Sequence, residues 1–164
     1  MLMGMDLASL VQLSGPWFVT FVEINMVFFQ LSEKLSVTAQ IDEEGVHAAA
    51  IAGFKLIVCN RPDGEVADQP TAAQVAQMAS SHNLLFMHQP VISGHIGTAE
   101  ALRFRQILEM TPGPVLAYCR SGTRCSILWA LSESGRQDPE AILQSTANAG
   151  FNLEILRLRL QPVT

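Results

Sequence analysis

From Leu35 onward, apolar and polar positions fall into short strands and amphipathic helices in alternation. Leu35-Ser36-Val37-Thr38 alternates with period two, which predicts a strand. Asp42 stands where an N-cap belongs, ahead of a helix through Val46 and Ala50 that Gly53 stops. Phe54 to Cys59 is an unbroken apolar run, the pattern of a strand covered on both faces. Arg61-Pro62-Asp63-Gly64 has turn chemistry, and Thr71 caps a helix through Met78. Leu84 to His88 predicts a further strand, followed by a loop from Pro90 to Gly97. Thr98 opens a helix to Met110 with Ala101, Phe104, Ile107 and Leu108 on one face, and Thr111-Pro112-Gly113-Pro114 breaks it. A strand then runs through Val115 into Cys119, and a helix extends from Thr123 to about Leu131. Pro139 sits in the first turn of another helix, and Asn152 to Leu160 predicts a last one.

Such alternation predicts an α/β fold of three layers: a mostly parallel sheet with helices on both faces. Ligands of these sheets bind beyond the carboxyl ends of the strands. Three loops lie there: Arg61–Glu65, Val91–Gly97 and Cys119–Arg124. Phe104 and Trp129 read as core.

The third loop carries the chemistry. An apolar strand ends at Cys119, and Arg120-Ser121-Gly122-Thr123-Arg124 leads directly into a helix. Successive backbone N–H groups and a helix N-terminus then converge on one point, an anion site built from main chain. A cysteine at that point is stabilised as thiolate, below the free value of roughly 8.5. An activated thiolate beside an oxyanion cradle serves both cysteine-dependent phosphatases and sulfurtransferases. Arg124 closes the loop and is expected to hold an oxyanion through its planar fork, with Arg120 contributing mainly its field. Cys59, inside an apolar run, reads as core. Cys125 begins the helix, where it either packs beneath the loop or traps an oxidised Cys119 as a disulfide.

Composition narrows the partners. The net charge is −5 and only 15% of residues are charged, which argues against nucleic acid and fits a small anion drawn into a local positive pocket. Three cysteines make no even framework, so a reducing, cytoplasmic setting is expected. His47, His82, His88 and His95 are scattered without zinc spacing, so neither metal nor cofactor is expected. Residues 1–28 read as a poorly specified apolar extension ahead of a domain at 29–164. Asp6, Gly15, Pro16 and Glu23 interrupt the apolar run, so neither a signal peptide nor a firm membrane anchor is expected. The oligomeric state is left open.

Five ordered segments carry a resemblance: Leu35 to Ile41, Gly53 to Lys55, Asn60 to Glu65, Pro90 to Gly94, and Gly113 to Arg124. Over roughly residues 29 to 135 they resemble the bacterial phosphatase-like domain of the beta-lactamase hydrolase-like proteins. The resemblance implies a tyrosine/dual-specificity-phosphatase-like fold. It implies Cys119 as nucleophile, Arg120 to Arg124 as the anion-binding loop, and Arg61 and Asp63 in a loop typical of the family. It also implies association with sulfide metabolism, because some members join this domain to a metallo-beta-lactamase-type hydrolase or an oxidoreductase; no such second domain is expected within these 164 residues.

The chain departs from the wider phosphatase pattern twice. Phosphatases of this fold place five residues between cysteine and arginine; here four separate Cys119 from Arg124, and Cys125 stands where the arginine would be. That six-residue loop also resembles the active loop of rhodanese-type sulfurtransferases. Moreover, Ile92-Ser93-Gly94-His95 has no carboxylate where dual-specificity phosphatases usually carry their acid. Asp63 and His95 are the candidate acids, with a turn former and a solvated loop histidine as the alternatives. Three readings follow: a cysteine-dependent phosphatase-like hydrolase acting on a phosphate ester, which the longer match favours; a rhodanese-like sulfurtransferase; and a non-catalytic anion-binding module.

Overall fold

The computed structural model describes residues 26–163. Of the expected extension, residues 1–25 lie outside the described residues. Met26 and Phe28 pack on the core, and the Phe28 ring meets Phe54 edge-on at 5.3 Å.

Five strands form one sheet: β1 (Phe29–Gln30), β2 (Leu35–Thr38), β3 (Leu56–Cys59), β4 (Leu85–His88) and β5 (Val115–Tyr118), in the order β1-β2-β5-β3-β4. β2, β5, β3 and β4 are parallel, and β1 is antiparallel to β2. Their connections are α1 (Glu43–Ile51), α2 (Ala72–Ser81) and α3 (Thr98–Met110), with α4 (Thr123–Glu133) and α5 (Pro139–Asn148) following β5. The caps act where the sequence places them: Asp42 accepts from the Gly45 N–H, and Thr71 forms a capping box with Gln74. Gly53 takes φ +86° just past α1, a left-handed turn that a side chain would oppose.

The predicted helix at 152–160 is instead a 3-10 helix, Glu154–Arg159. Only Leu153, Leu156 and Leu160 of this stretch reach the core, and Pro162 follows, so the segment is too short to settle as an α-helix. β1 adds a two-residue antiparallel edge that the sequence pattern does not predict.

Alternation along the strands splits the core in two. Leu35, Val37, Leu56, Val58, Val115 and Ala117 meet α3, α4 and α5 on one face. Ile57, Cys59, Leu116 and Tyr118 meet α1 and α2 on the other. β5 therefore sits in mid-sheet, fully buried, and delivers Cys119 to the centre of the carboxyl edge. No helix among the described residues is long and apolar enough to cross a membrane.

Candidate active site

The strand ladder holds the first two loop residues. Cys119 N donates to Thr38 O at 3.4 Å, and Gln40 N donates to Arg120 O at 3.4 Å. The chain then turns at Gly122, with φ +90°. That backbone conformation favours glycine, and a Cβ there would also press on the Phe151 ring at 3.0 Å. The turn brings the Gly122 N–H to 3.1 Å from Cys119 Sγ. Ser126 N donates to Gly122 O at 3.0 Å, which starts α4 against the same point.

Cys119 is 1% exposed, yet its thiol is held down to about 5. The Cys125 thiol donates to the sulfur, and the N–H groups of Cys125, Ser121 and Arg124 add to it; together they outweigh burial. Cys125 is fully buried, and desolvation pushes its own pKa well up, so it stays protonated as donor. Burial likewise raises Cys59, whose thiol donates to Arg61 O at 3.3 Å in the core. Removing the buried donor by Cys125→Ala should raise the Cys119 pKa by about one to two units, since a hydrogen bond to a charged group contributes about 1.5–3 kcal/mol. Iodoacetamide alkylation rates against pH check this; an unchanged midpoint would show that the backbone N–H groups suffice.

Arg124 lies behind the loop, buried and braced. Its Nη1 donates to Glu65 Oε1 at 2.6 Å and to Val91 O at 2.9 Å, and its Nη2 donates to Glu65 Oε2 at 2.8 Å. That fork–fork pair occupies one edge of the guanidinium. Nε–H and one Nη2–H remain, and the group is within hydrogen-bond reach of the Cys119 sulfur. Glu65 is held down to about 2, chiefly by Arg124 and then by Arg61.

The loop opens into a cavity of about 220 Å³ lined by Ser93, Gly94, Arg120, Ser121, Thr123 and Arg124, with Ile96 and Ile127 as its apolar wall. Arg120 is exposed at the rim, and the Ser121 and Thr123 hydroxyls lie 3.1 Å apart. The structure thus brings Cys119 and the whole of 120–124 together.

Other expected residues stand apart from the cavity. Arg61 is buried behind Glu65, its Nε on Glu65 Oε2 at 2.8 Å and its Nη1 on Gln40 Oε1 at 3.0 Å. Asp63 Oδ1 accepts from Ala72 N at 2.7 Å, at the N-terminus of α2, so its carboxylate caps a helix. His95 is exposed with Nδ1 3.3 Å from Ser93 O and does not line the cavity. Asp63→Ala should therefore cost about 1 kcal/mol of stability, as for a lost cap, and leave kcat within about twofold. Urea unfolding beside steady-state kinetics decides it: a large drop in kcat with unchanged stability would return Asp63 to catalysis.

Glu65 escaped sequence reasoning as a site residue. Its one signal was position: it is four residues after Arg61, in a loop already assigned to the carboxyl edge of the sheet.

The α/β fold, with its cysteine loop at the head of a helix, is of the tyrosine-phosphatase-like class. Pseudomonas aeruginosa TpbA, solved in complex with phosphotyrosine, shares that fold at 18% identity and TM-score 0.59, over 84% of this chain and 92% of its own. The family model described as "Beta-lactamase hydrolase-like protein, phosphatase-like domain" matches residues 27–136, and the chain belongs to that family. A beta-lactamase hydrolase-like protein of Xylella fastidiosa strain Temecula1 is 32% identical over 130 residues, 78% of this chain. The chain spans 30% of that protein's length. A candidate phosphatase of Neisseria meningitidis is 38% identical with TM-score 0.74, over 80% of this chain and 94% of its own.

Proposed function

We propose that this phosphatase-like domain is a cysteine-dependent hydrolase of small anionic phosphate esters. The observation that carries this reading is Cys119: its sulfur accepts the Gly122 N–H at 3.1 Å beside an accessible cavity, with a braced arginine behind it. The Cys119 thiolate attacks phosphorus and the ester oxygen departs, leaving a phosphocysteine. Water then attacks phosphorus, releasing phosphate and the thiolate. The loop N–H groups and the remaining edge of Arg124 turn to the phosphoryl oxygens as charge develops there. Arg120 draws the anion in. A reducing cytoplasm would keep Cys119 available.

No carboxylate or histidine is among the described residues that line the cavity. A general acid contributes about 10²–10⁴-fold, so esters whose leaving group departs readily as an anion are favoured by about that factor. Aryl phosphates should therefore exceed alkyl phosphates in kcat/KM by about 10²–10⁴-fold. Equal values would show that an acid, Asp63 or His95 included, reaches the leaving oxygen.

The four-residue spacing and acid-free lining also favour a second reading, sulfur transfer. Cys119 would take the outer sulfur of thiosulfate as a persulfide with loss of sulfite, then pass it to an acceptor such as cyanide. Partner enzymes of sulfide metabolism would supply the physiological donor. Parallel assays with an aryl phosphate and with thiosulfate plus cyanide separate the two. Inactivity in both, with anion binding retained, would leave a non-catalytic anion-binding module.

A further inference from the structure

A larger cavity lies beside the cysteine site, between α3, the end of α4 and the C-terminal segment. It holds about 340 Å³ and is lined by Arg105 and Arg159 with Thr98, Ser134, Gln161 and Leu102. Four other arginines, Arg61, Arg124, Arg136 and Arg157, are each paired to a glutamate. Arg105 and Arg159 have no ion pair among the described residues. Each donates to one backbone carbonyl: Arg105 to Ser132 O, and Arg159 Nη2 to Ile96 O at 2.7 Å. A guanidinium has five N–H donors, so most of their capacity is unspent. Arg105 Nε–H is shielded from water and faces protein. The Nη N–H groups that Ser132 O leaves free are what Arg105 offers to the cavity.

The walls of this cavity are fixed. Gln161 N donates to Ser134 Oγ at 2.8 Å, and Gly135 N donates to Gln161 O at 3.1 Å, tying the C-terminal segment to the end of α4. Arg159 is tied through Ile96 to the wall of the cysteine cavity. No acidic residue among the described residues lines the space, in a chain whose net charge is −5.

We infer that this cavity is a second binding site, for a small organic anion bearing two carboxylate or phosphate groups on a short carbon skeleton. The free N–H groups of two guanidinium groups match two oxyanion groups, the hydroxyls of Thr98 and Ser134 add donors, and Leu102 covers the skeleton. The volume is that of a small-molecule site. The inference involves no step at Cys119 and stands whichever reaction the cysteine performs.

Citrate is the probe, with inorganic phosphate as the reference for the cysteine loop. In two-dimensional amide NMR at constant ionic strength, citrate should shift the signals of Leu102, Arg105, Ser134 and Gln161 along one saturable curve, with Kd below about 1 mM. Arg159→Gln and Leu102→Glu should each weaken that curve at least tenfold. The phosphate response of Ser121 to Cys125 should persist in both variants. Leu102 is 46% exposed, so the added carboxylate at that position tests the charge requirement without disturbing the core. Citrate shifts confined to Ser121–Cys125, or equal citrate affinity in Leu102→Glu and wild type, would overturn the inference.

Discussion

Cys119→Ser should lower kcat/KM for an aryl phosphate by at least about 10³-fold while the domain stays folded. A serine hydroxyl comes close to the size of the thiol and keeps the hydrogen bonds of the loop, but it is not ionised near neutral pH, and no carboxylate or histidine among the described residues lines the cavity to take its proton. What remains is the oxyanion cradle alone, and losing a nucleophile removes most of the acceleration even when such a cradle survives. The pH profile follows from the same geometry. Activity should rise with ionisation of Cys119 near pH 5, well below an ordinary thiol. Stability has the matching sign. The folded pKa is depressed, so the contribution is fully present above the unfolded thiol value of about 8.5 and is lost as pH falls towards 5. A kcat/KM profile whose acid limb lies near pH 8 to 9 would show that the N–H ring and Cys125 do not hold a thiolate.

Glu65→Ala should cost both stability and rate. The carboxylate joins two buried guanidinium groups, Arg124 and Arg61, and its own side chain is 28% exposed. Removing one partner of a fully buried pair costs about 3–5 kcal/mol; partial exposure brings this to about 2–3 kcal/mol. For a domain of this size that is a fall in Tm of about 5–10 °C. Arg124 then loses the edge-on grip that fixes its plane, and kcat should fall by about 10²-fold through misplacement of the oxyanion partner. Glu65→Gln keeps the shape and one acceptor, so it should recover part of the stability. The folded pKa of Glu65 lies near 2, below the unfolded value of about 4.3. Its contribution is therefore complete above about pH 4.3 and lost as pH falls through 2. Urea midpoints at pH 7 with single-turnover rates check the variants. Wild-type midpoint and wild-type kcat in Glu65→Ala would mean that Arg124 is positioned by its own helix.

Local chemistry made most of the frame legible. Asp42, Thr71 and Gly53 mark helix ends through hydrogen bonds and a left-handed turn made within a few residues of themselves. The cysteine loop is legible for the same reason: strand end, glycine and helix start are contiguous. What escaped depends on distant partners. β1 is two residues long, too short for any period, and exists because β2 offers an edge to pair with. The position of β5 between β2 and β3 is a matter of topology that no stretch of chain encodes. Glu65 becomes part of the site only when α4 brings Arg124 to it across 59 residues. A turn aspartate and a catalytic one look alike in sequence; in the fold the Asp63 carboxylate accepts the Ala72 N–H.

The most direct test of Cys119 as a phosphoryl acceptor is an acid quench during turnover of an aryl phosphate, followed by peptide mass mapping. The proposed chemistry predicts a phosphoryl group on the peptide that carries Cys119, and none on Cys59 or Cys125. An unmodified Cys119 during aryl phosphate turnover, with a persulfide on it after thiosulfate, would contradict phosphatase chemistry and establish sulfur transfer in its place.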